Sequence, residues 1–397
     1  MVVRYFCRCL TCGHAHTLRI SMGHGPTQQH TFACGKCAQD MSIEVVQQPE
    51  IASCEIKCTT NCRDGTEEGL IVNLHPDFPI PEDQLHVDQA FPWLSRVAAV
   101  GKRQESLGLR GPQPSSVQDM QKWRSEIQTH PQQWAILRKS WSLARSGKED
   151  LALTELNRYK FHRPDASHRL ADALFDFCGT LLQSKVMLYV GAEETMRACS
   201  RQYPQEFARL KQWYSSACAS DHLDRYFDIF SQFFQDFAEF SQTLLLYQYG
   251  LPLSASDVAS SQAFARAKMF YGNSFEALTS NFVLLAALNN VFSTRAFDQF
   301  EKMDMKKYVT INKARRGEAF SETAPFAAFA EGLDSGLRNA SHHGAIKLDP
   351  TRRHILIRSG GTGADRRMRY IEYLFLCCDI FIKLAALFML ELLLVWQ

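Results

Sequence analysis

The spacing of apolar positions changes character twice along the chain. Over the first 48 residues, short β-like runs (VVRYFCR, HTLRISM, QHTFACGKC, MSIEVVQ) alternate with CLTCGH and a Gly/Pro turn at GHGP, which predicts a small β unit. Another strand-like stretch, EGLIVNL, leads into the Pro-rich HPDFPIPED and the polar GLRGPQPSS, so residues 49–112 read as a β-containing connector and linker. From Ser115 the period becomes helical, with Trp123, Trp134, Leu137, Trp141 and Leu151 marking short amphipathic helices to about residue 210. Beyond 211 the helices lengthen. DHLDRYFDIFSQFFQDFAEFSQTLLLYQYG places Phe227, Phe230, Phe234, Phe237 and Leu244 three, four or seven residues apart, a stripe of core aromatics rather than a platform for bases. After a Gly-Leu-Pro break at 250–252, SQAFARAKMFYGNSFEALTSNFVLLAALNNVF predicts a second long helix, antiparallel to the first.

The segment TAPFAAFAEGLDSGLRNASHHG is expected as one further helix. Thr323 stands at its N-cap, Pro325 in its first turn, and Phe326, Phe329, Ala330, Leu333, Leu337 and Ala340 on one face, with Gly344 as the stop. AIKLD and HILIRS then read as a β-hairpin, followed by a GGTG turn and a final helix, IEYLFLCCDIFIKLAALFMLELLLVW. A membrane span needs about 20 mostly uncharged residues. Here Glu372, Asp379, Lys383 and Glu391 interrupt the run, the first three on one narrow face, so a core helix with one wet stripe is expected and no membrane is implied.

Composition narrows the chemistry. With 397 residues and 46% hydrophobic content the chain can bury a sizeable core. Forty-four Lys and Arg against 42 Asp and Glu leave a net charge of +2, too balanced to mark a nucleic-acid binder by its overall field. Eight of the thirteen cysteines fall within the first 62 residues, and MVVRYFCRC has no basic-then-apolar leader, so a reducing cytoplasm is expected rather than a disulfide framework. Cys9-x2-Cys12 and Cys34-x2-Cys37 present four thiols on two tight turns, with 21 residues between the pairs. That is a tetrahedral zinc pattern, and a structural metal would hold together a unit with little core of its own. The arrangement resembles a zinc ribbon over residues 1–48, with Cys7, His14 and His16 close enough in sequence to substitute as ligands. Cys54, Cys58 and Cys62 recur every four residues, which is not a knuckle spacing, and read as packing residues or a second metal site.

LRNASHHG, residues 337–344, puts Arg338 beside the apolar stripe and His343 at the helix end. A guanidinium and an imidazole are what metal-free RNA cleavage needs, one to neutralise charge on the phosphate, the other to move a proton at the ribose 2′-hydroxyl or the leaving oxygen. One copy supplies half of such a site, two-fold pairing supplies both imidazoles, and His342 is the rival within a monomer. Lys306, Lys307, Lys313, Arg315 and Arg316 before the segment, and Arg352, Arg353, Arg358, Arg366, Arg367 and Arg369 after it, offer cations to an RNA backbone or simply a solvated surface. The first 48 residues contribute only Arg4, Arg8, Arg19 and Lys36. No phosphate loop, nucleophile elbow or HExxH pair is present.

Arg338-Asn339-Ala340-Ser341-His342-His343 resembles the R-N-x-x-x-H signature of the HEPN superfamily, over residues 211–397. The resemblance implies Arg338 and His343 as a catalytic pair, Asn339 as the polar residue following the arginine, and Glu276 as the candidate acidic residue from an earlier helix. It implies a cytoplasmic, metal-independent endoribonuclease, a homodimer or higher oligomer, acting on RNA in antiphage defence, abortive infection or toxin–antitoxin growth arrest with an antitoxin or trigger protein as partner. The alternative is a non-catalytic HEPN-like dimerisation scaffold whose ribbon binds a protein partner. The expected fold is multidomain and mainly α. It comprises a zinc ribbon at 1–48, a connector at 49–112, a helical middle region at 113–210, and a helical domain at 211–397 with an inserted β-hairpin.

Overall fold

The computed structural model describes residues 1–22, 27–48, 53–74, 77–108, 128–162, 169–349, 351–358 and 365–396. The GHGP turn, most of the GLRGPQPSS linker, Trp123 and the GGTG turn lie outside them. The structure is mixed α/β and 56% helical, with its strands concentrated at the amino terminus. It comprises two compact units, one built from Met1–Gly108, Asp236–Met269 and Asn339–Cys378, the other from Leu109–Gln235, Phe270–Arg338 and Asp379–Gln397.

In the first unit, β1 (Val2–Cys9), β2 (Ala15–Ser21), β3 (Thr27–Ala33) and β4 (Asp40–Gln48) are the four strands expected of the amino-terminal unit. Four more follow them into the same sheets: β5 (Ser53–Thr60), β6 (Cys62–Asp64), β7 (Leu70–Leu74) and, after the two-residue β8 (Ile80–Pro81), β9 (Gln89–Ala90). One sheet runs β6-β1-β2-β7 with β9 also on β1, another runs β3-β4-β5, and β8 pairs with β10 (Asp257–Val258). Residue 48 is therefore not an edge of the strand pairing. β2 has neighbours on both sides and is buried almost throughout, so His16, Thr17 and Arg19 go inside with Leu18 and Ile20. β4 keeps two-residue alternation, with Met41, Ile43 and Val45 inward. The helix Trp93–Ser106, which the connector was not expected to hold, follows.

A buried polar network joins this β region to the helical segments of the same unit. Asn73 in β7 donates from its side chain to Gln242 Oε1 (3.1 Å), and Gln262 donates to the Asn73 carbonyl (3.0 Å). Gln242, on the helix Phe237–Gln248, donates in turn to the Ser260 carbonyl (3.0 Å), while Ala33 at the end of β3 donates to the Gln262 carbonyl (2.9 Å). Glu239, 1% exposed, accepts from the Ser261 hydroxyl (3.0 Å), the Tyr370 hydroxyl (2.7 Å) and the N–H groups of Gln262 and Ala263. The expected hairpin is a three-stranded sheet: β11 (Ile346–Leu348), β12 (His354–Arg358) and β13 (Asp365–Arg369). With one apolar residue in five, DRRMR shows no strand signal. Pairing with β12 places Met368 opposite Ile355 and makes it one.

The second unit is helical. Trp134 packs against Phe177, Phe227, Phe230 and Phe234, and Phe381 of the final helix stacks on Phe233, so the aromatic stripe is core as expected. The final helix, Tyr370–Trp396, carries no wet stripe at Lys383. That side chain is buried, paired with Asp379 (2.8 Å) and donating to the Glu331 carbonyl. Glu391 is buried too, accepting from the Tyr226 hydroxyl. The helix Phe264–Phe292 is long and apolar enough to cross a membrane, and 83% of its most apolar window is buried inside the protein.

Two expected helices are each broken. The aromatic helix ends at Gln235 and a new one starts at Phe237, because Asp236 leaves helical geometry (φ −108°, ψ 31°) and accepts from Arg266. The run from Thr323 to Gly344 is two helices, Ala324–Ala330 and Ser335–His342. Gly332 at φ +69° turns the chain between them, and Asp334 caps the second by accepting from Leu337 N–H at 2.8 Å. Asp334→Ala is expected to cost about 1 kcal/mol in urea unfolding. A smaller loss in Asp334→Asn, which keeps the cap, checks that the effect is local.

Candidate metal centre and the Arg338–His343 segment

The two cysteine knuckles are built alike. Cys9 ends β1 and Cys34 follows β3, and each opens a turn closed by the N–H four residues on: Gly13 to the Cys9 carbonyl (2.9 Å), Ala38 to the Cys34 carbonyl (3.0 Å). The cysteine N–H then donates to the carbonyl five residues on, Cys9 to His14 (3.0 Å) and Cys34 to Gln39 (2.8 Å). Both turns need a left-handed residue after the second cysteine. Gly13 takes it at φ +72° and Ala38 at φ +59°, at a steric cost to the alanine.

This construction gathers the four Sγ atoms within 4.8 Å of one another. Cys9 and Cys37 are 3.7 Å apart, Cys12 and Cys34 3.6 Å. Ligands at about 2.3 Å from a tetrahedral zinc lie roughly 3.8 Å from each other, so the cluster has the dimensions of a zinc site. Its environment treats the thiols differently. Burial pushes the Cys9 thiol up, but the N–H groups of Cys12 and Thr11 outweigh it and bring the thiol down to about 7. The side-chain amide of Asn61 also donates to Cys9 Sγ, at 3.7 Å. At Cys34 burial wins and the thiol is pushed up to about 12, so a metal bound there has to displace its proton. Four cysteines could thus hold a metal ion, and their number leaves no open position for a substrate.

The neighbouring candidates have other roles. His16 is fully buried and uses both ring nitrogens: Nδ1 donates to the His14 carbonyl (3.1 Å) and Nε2 accepts from Gly35 N–H (3.1 Å). A neutral ring therefore braces one knuckle against the other, and burial holds its pKa down at about 4. Cys7 is fully buried, and burial raises its thiol. Cys54 and Cys58 lie on the same, partly buried face of β5, and Cys62 donates to the Ser42 carbonyl at 3.0 Å. Among the described residues they form no second metal group.

Arg338 lies on the helix Ser335–His342 and pairs through Nε and Nη2 with Glu276 of the helix Phe264–Phe292. Lys313 takes the other carboxylate oxygen. Burial would raise the Glu276 carboxyl, but the two cations outweigh it and hold it below its ordinary value. An open polar cleft of about 390 Å³ adjoins them, lined by Arg225, Asp228, Gln232, Asn273 and Ser280 together with Glu276 and Lys313. The acidic residue named from the resemblance is thus in contact with the arginine. Asn339 is half-buried, its carbonyl accepting from His343 N–H at 3.0 Å, while His342 and His343 are exposed. At about 100° per residue, His342 lies some 40° around the helix from Arg338 and His343, past its end, some 140°.

The flanking cations are mostly engaged. Arg315 pairs with Glu318, Arg353 with Glu82, Arg358 with Asp365, Arg367 with Asp349 and Arg369 with Glu372. Arg316 is buried and donates to the carbonyls of Thr279 and Val309. The cations read either as a track for an RNA backbone or as a solvated surface are in large part in ion pairs, with Arg315, Arg358 and Arg367 still exposed. Comparison with family models, curated proteins and solved structures finds no match to this chain.

One metal ion per chain is expected in the purified protein by elemental analysis. Cys34→Ser should lose it and Cys54→Ser should keep it.

Proposed function

We propose that this protein is a metal-independent endoribonuclease of HEPN type, working as a dimer in the cytoplasm in antiphage defence or toxin–antitoxin growth arrest, with a structural zinc in its amino-terminal β region. The observation that carries the reading is the Arg338–Glu276 pair. A carboxylate on an adjacent helix holds the guanidinium in a fixed orientation beside a polar cleft, and Lys313 on the same carboxylate leaves net positive charge for a phosphodiester. The exposed His343 supplies the proton-transfer group, acid in one copy and base in the other.

The same ion pair favours a second reading. A guanidinium already neutralised by Glu276 suits a non-catalytic dimerisation scaffold, in which the pair stiffens an interface and the ribbon binds a protein.

Wild type, His343→Ala and Arg338→Ala, each with its zinc content verified, are compared on total RNA and tRNA in excess EDTA, and the product ends are mapped. The nuclease reading expects 2′,3′-cyclic phosphate ends from wild type and a loss of about 10²-fold or more in His343→Ala. Undiminished cleavage by that variant overturns the assignment of His343. No cleavage by wild type, with a dimer that Arg338→Ala weakens, favours the scaffold.

A further inference from the structure

Arg352 differs from every other cation of the carboxy-terminal sheet. The turn between β11 and β12 is built on Asp349, whose carboxylate accepts from the Thr351 hydroxyl (2.9 Å) and the N–H groups of Arg353 (3.1 Å) and His354 (3.2 Å). The Asp349 carbonyl accepts from Arg352 N–H at 2.9 Å. Together these hold Arg352 at φ +58°, a left-handed conformation that costs a residue with a Cβ about 1–2 kcal/mol. Such strain persists where the surroundings over-determine it, and it points to a use.

The side chain runs inward to the second cysteine knuckle. Arg352 Nη1 is buried without a hydrogen-bond partner, and a Cβ added at Gly35 would lie 3.3 Å from it. The acidic groups close enough to act on the guanidinium are the Glu239 carboxylate, the Tyr370 hydroxyl and the Cys34 sulfur, in falling order, and its charge is also felt at the His16 ring. Lys36, inside the knuckle itself, is exposed.

Four thiolates around a divalent metal carry a net charge of −2. Cys9 and Cys34 are 1% and 2% exposed, so half of that charge lies out of water, where it demands a counter-charge and donors. A buried guanidinium with a spare N–H against the knuckle supplies both. We propose that Arg352 is a counter-ion of the metal centre: its guanidinium offsets half of the loaded cluster's net charge and so ties the sheet that follows the Arg338–His343 segment to the metal. The inference rests on the four cysteines holding zinc and is independent of ribonuclease activity. Linkage makes it reciprocal, the metal stabilising the β11–β12 turn and the turn tightening the metal.

The test uses the full chain and zinc alone. Zinc affinity of wild type, Arg352→Gln and Arg352→Lys is measured by competition with a chromophoric chelator. Arg352→Gln is expected to bind about 10- to 100-fold more weakly, the usual effect of losing a group that supports a metal's ligands, and Arg352→Lys to recover most of the loss. Hydrogen exchange of wild type, which no folding defect of a variant can spoil, is expected to speed up over residues 346–349 and 351–358 when the metal is removed. Equal affinities for wild type and Arg352→Gln, or exchange there that ignores the metal, overturn the proposal. A wild-type chain that neither contains nor takes up zinc overturns the metal reading itself, and this inference with it.

Discussion

The first unit depends on a carboxylate that has left water. Glu239 recruits two hydroxyls and two backbone N–H groups from residues 261–263 and 370, and does so where the helix Phe264–Phe292 is about to begin. An unpaired carboxylate at 1% exposure would cost several kcal/mol. Burial does push its carboxyl above the ordinary range, against the pull of those donors. The arrangement is therefore tolerable in one geometry only. Apolar surfaces slide at small cost, whereas a saturated polar network fixes register. The neighbouring amides of Asn73, Gln242 and Gln262 extend that rule to the cysteine-bearing sheets.

The cysteine centre follows a similar logic at a smaller scale. Each knuckle spends its backbone N–H groups first on closing the turn and then on the sulfurs, and the His16 ring bridges the two turns. Little freedom is left for the ligands to find before a metal arrives. Ala38, held where glycine would be easier, shows that the second turn is imposed by these contacts rather than chosen by its own sequence.

The sequence disclosed what is encoded locally and hid what depends on distant partners. The two CxxC pairs were legible because the signal is local: each pair sets two thiols on one tight turn, the spacing at which both can reach a single ion. The strands β1–β4 were legible as short apolar runs between turn signals, and the long helix Phe264–Phe292 as a nearly continuous apolar stretch. The break at Gly332 was not, since Leu333 and Leu337 keep the helical period straight through it and only Asp334, read as a cap, announces a new start. β13 has no pattern of its own and exists through pairing with β12. Some of the ion pairs could not be seen because the partners are remote in sequence: Glu276 lies 62 positions from Arg338, and Glu82 lies 271 from Arg353. Arg352 was counted among the flanking cations, though the turn that begins at Asp349 sends it toward a knuckle near the start of the chain. Glu276 itself was named from the family resemblance, not from any spacing.

The chain alternates between its two compact units, each of which takes three separate segments. Neither unit is complete until the helix Tyr370–Trp396 has been made, because its first residues belong to one and its last to the other. Folding cannot proceed one domain at a time from the amino terminus. The early strands wait, with their thiols and sheet edges open, for contacts more than 150 residues downstream, such as Asn73 with Gln242 at a separation of 169. Closing loops of that length is slow, and a metal taken up by the four cysteines would hold the first part in readiness for the last.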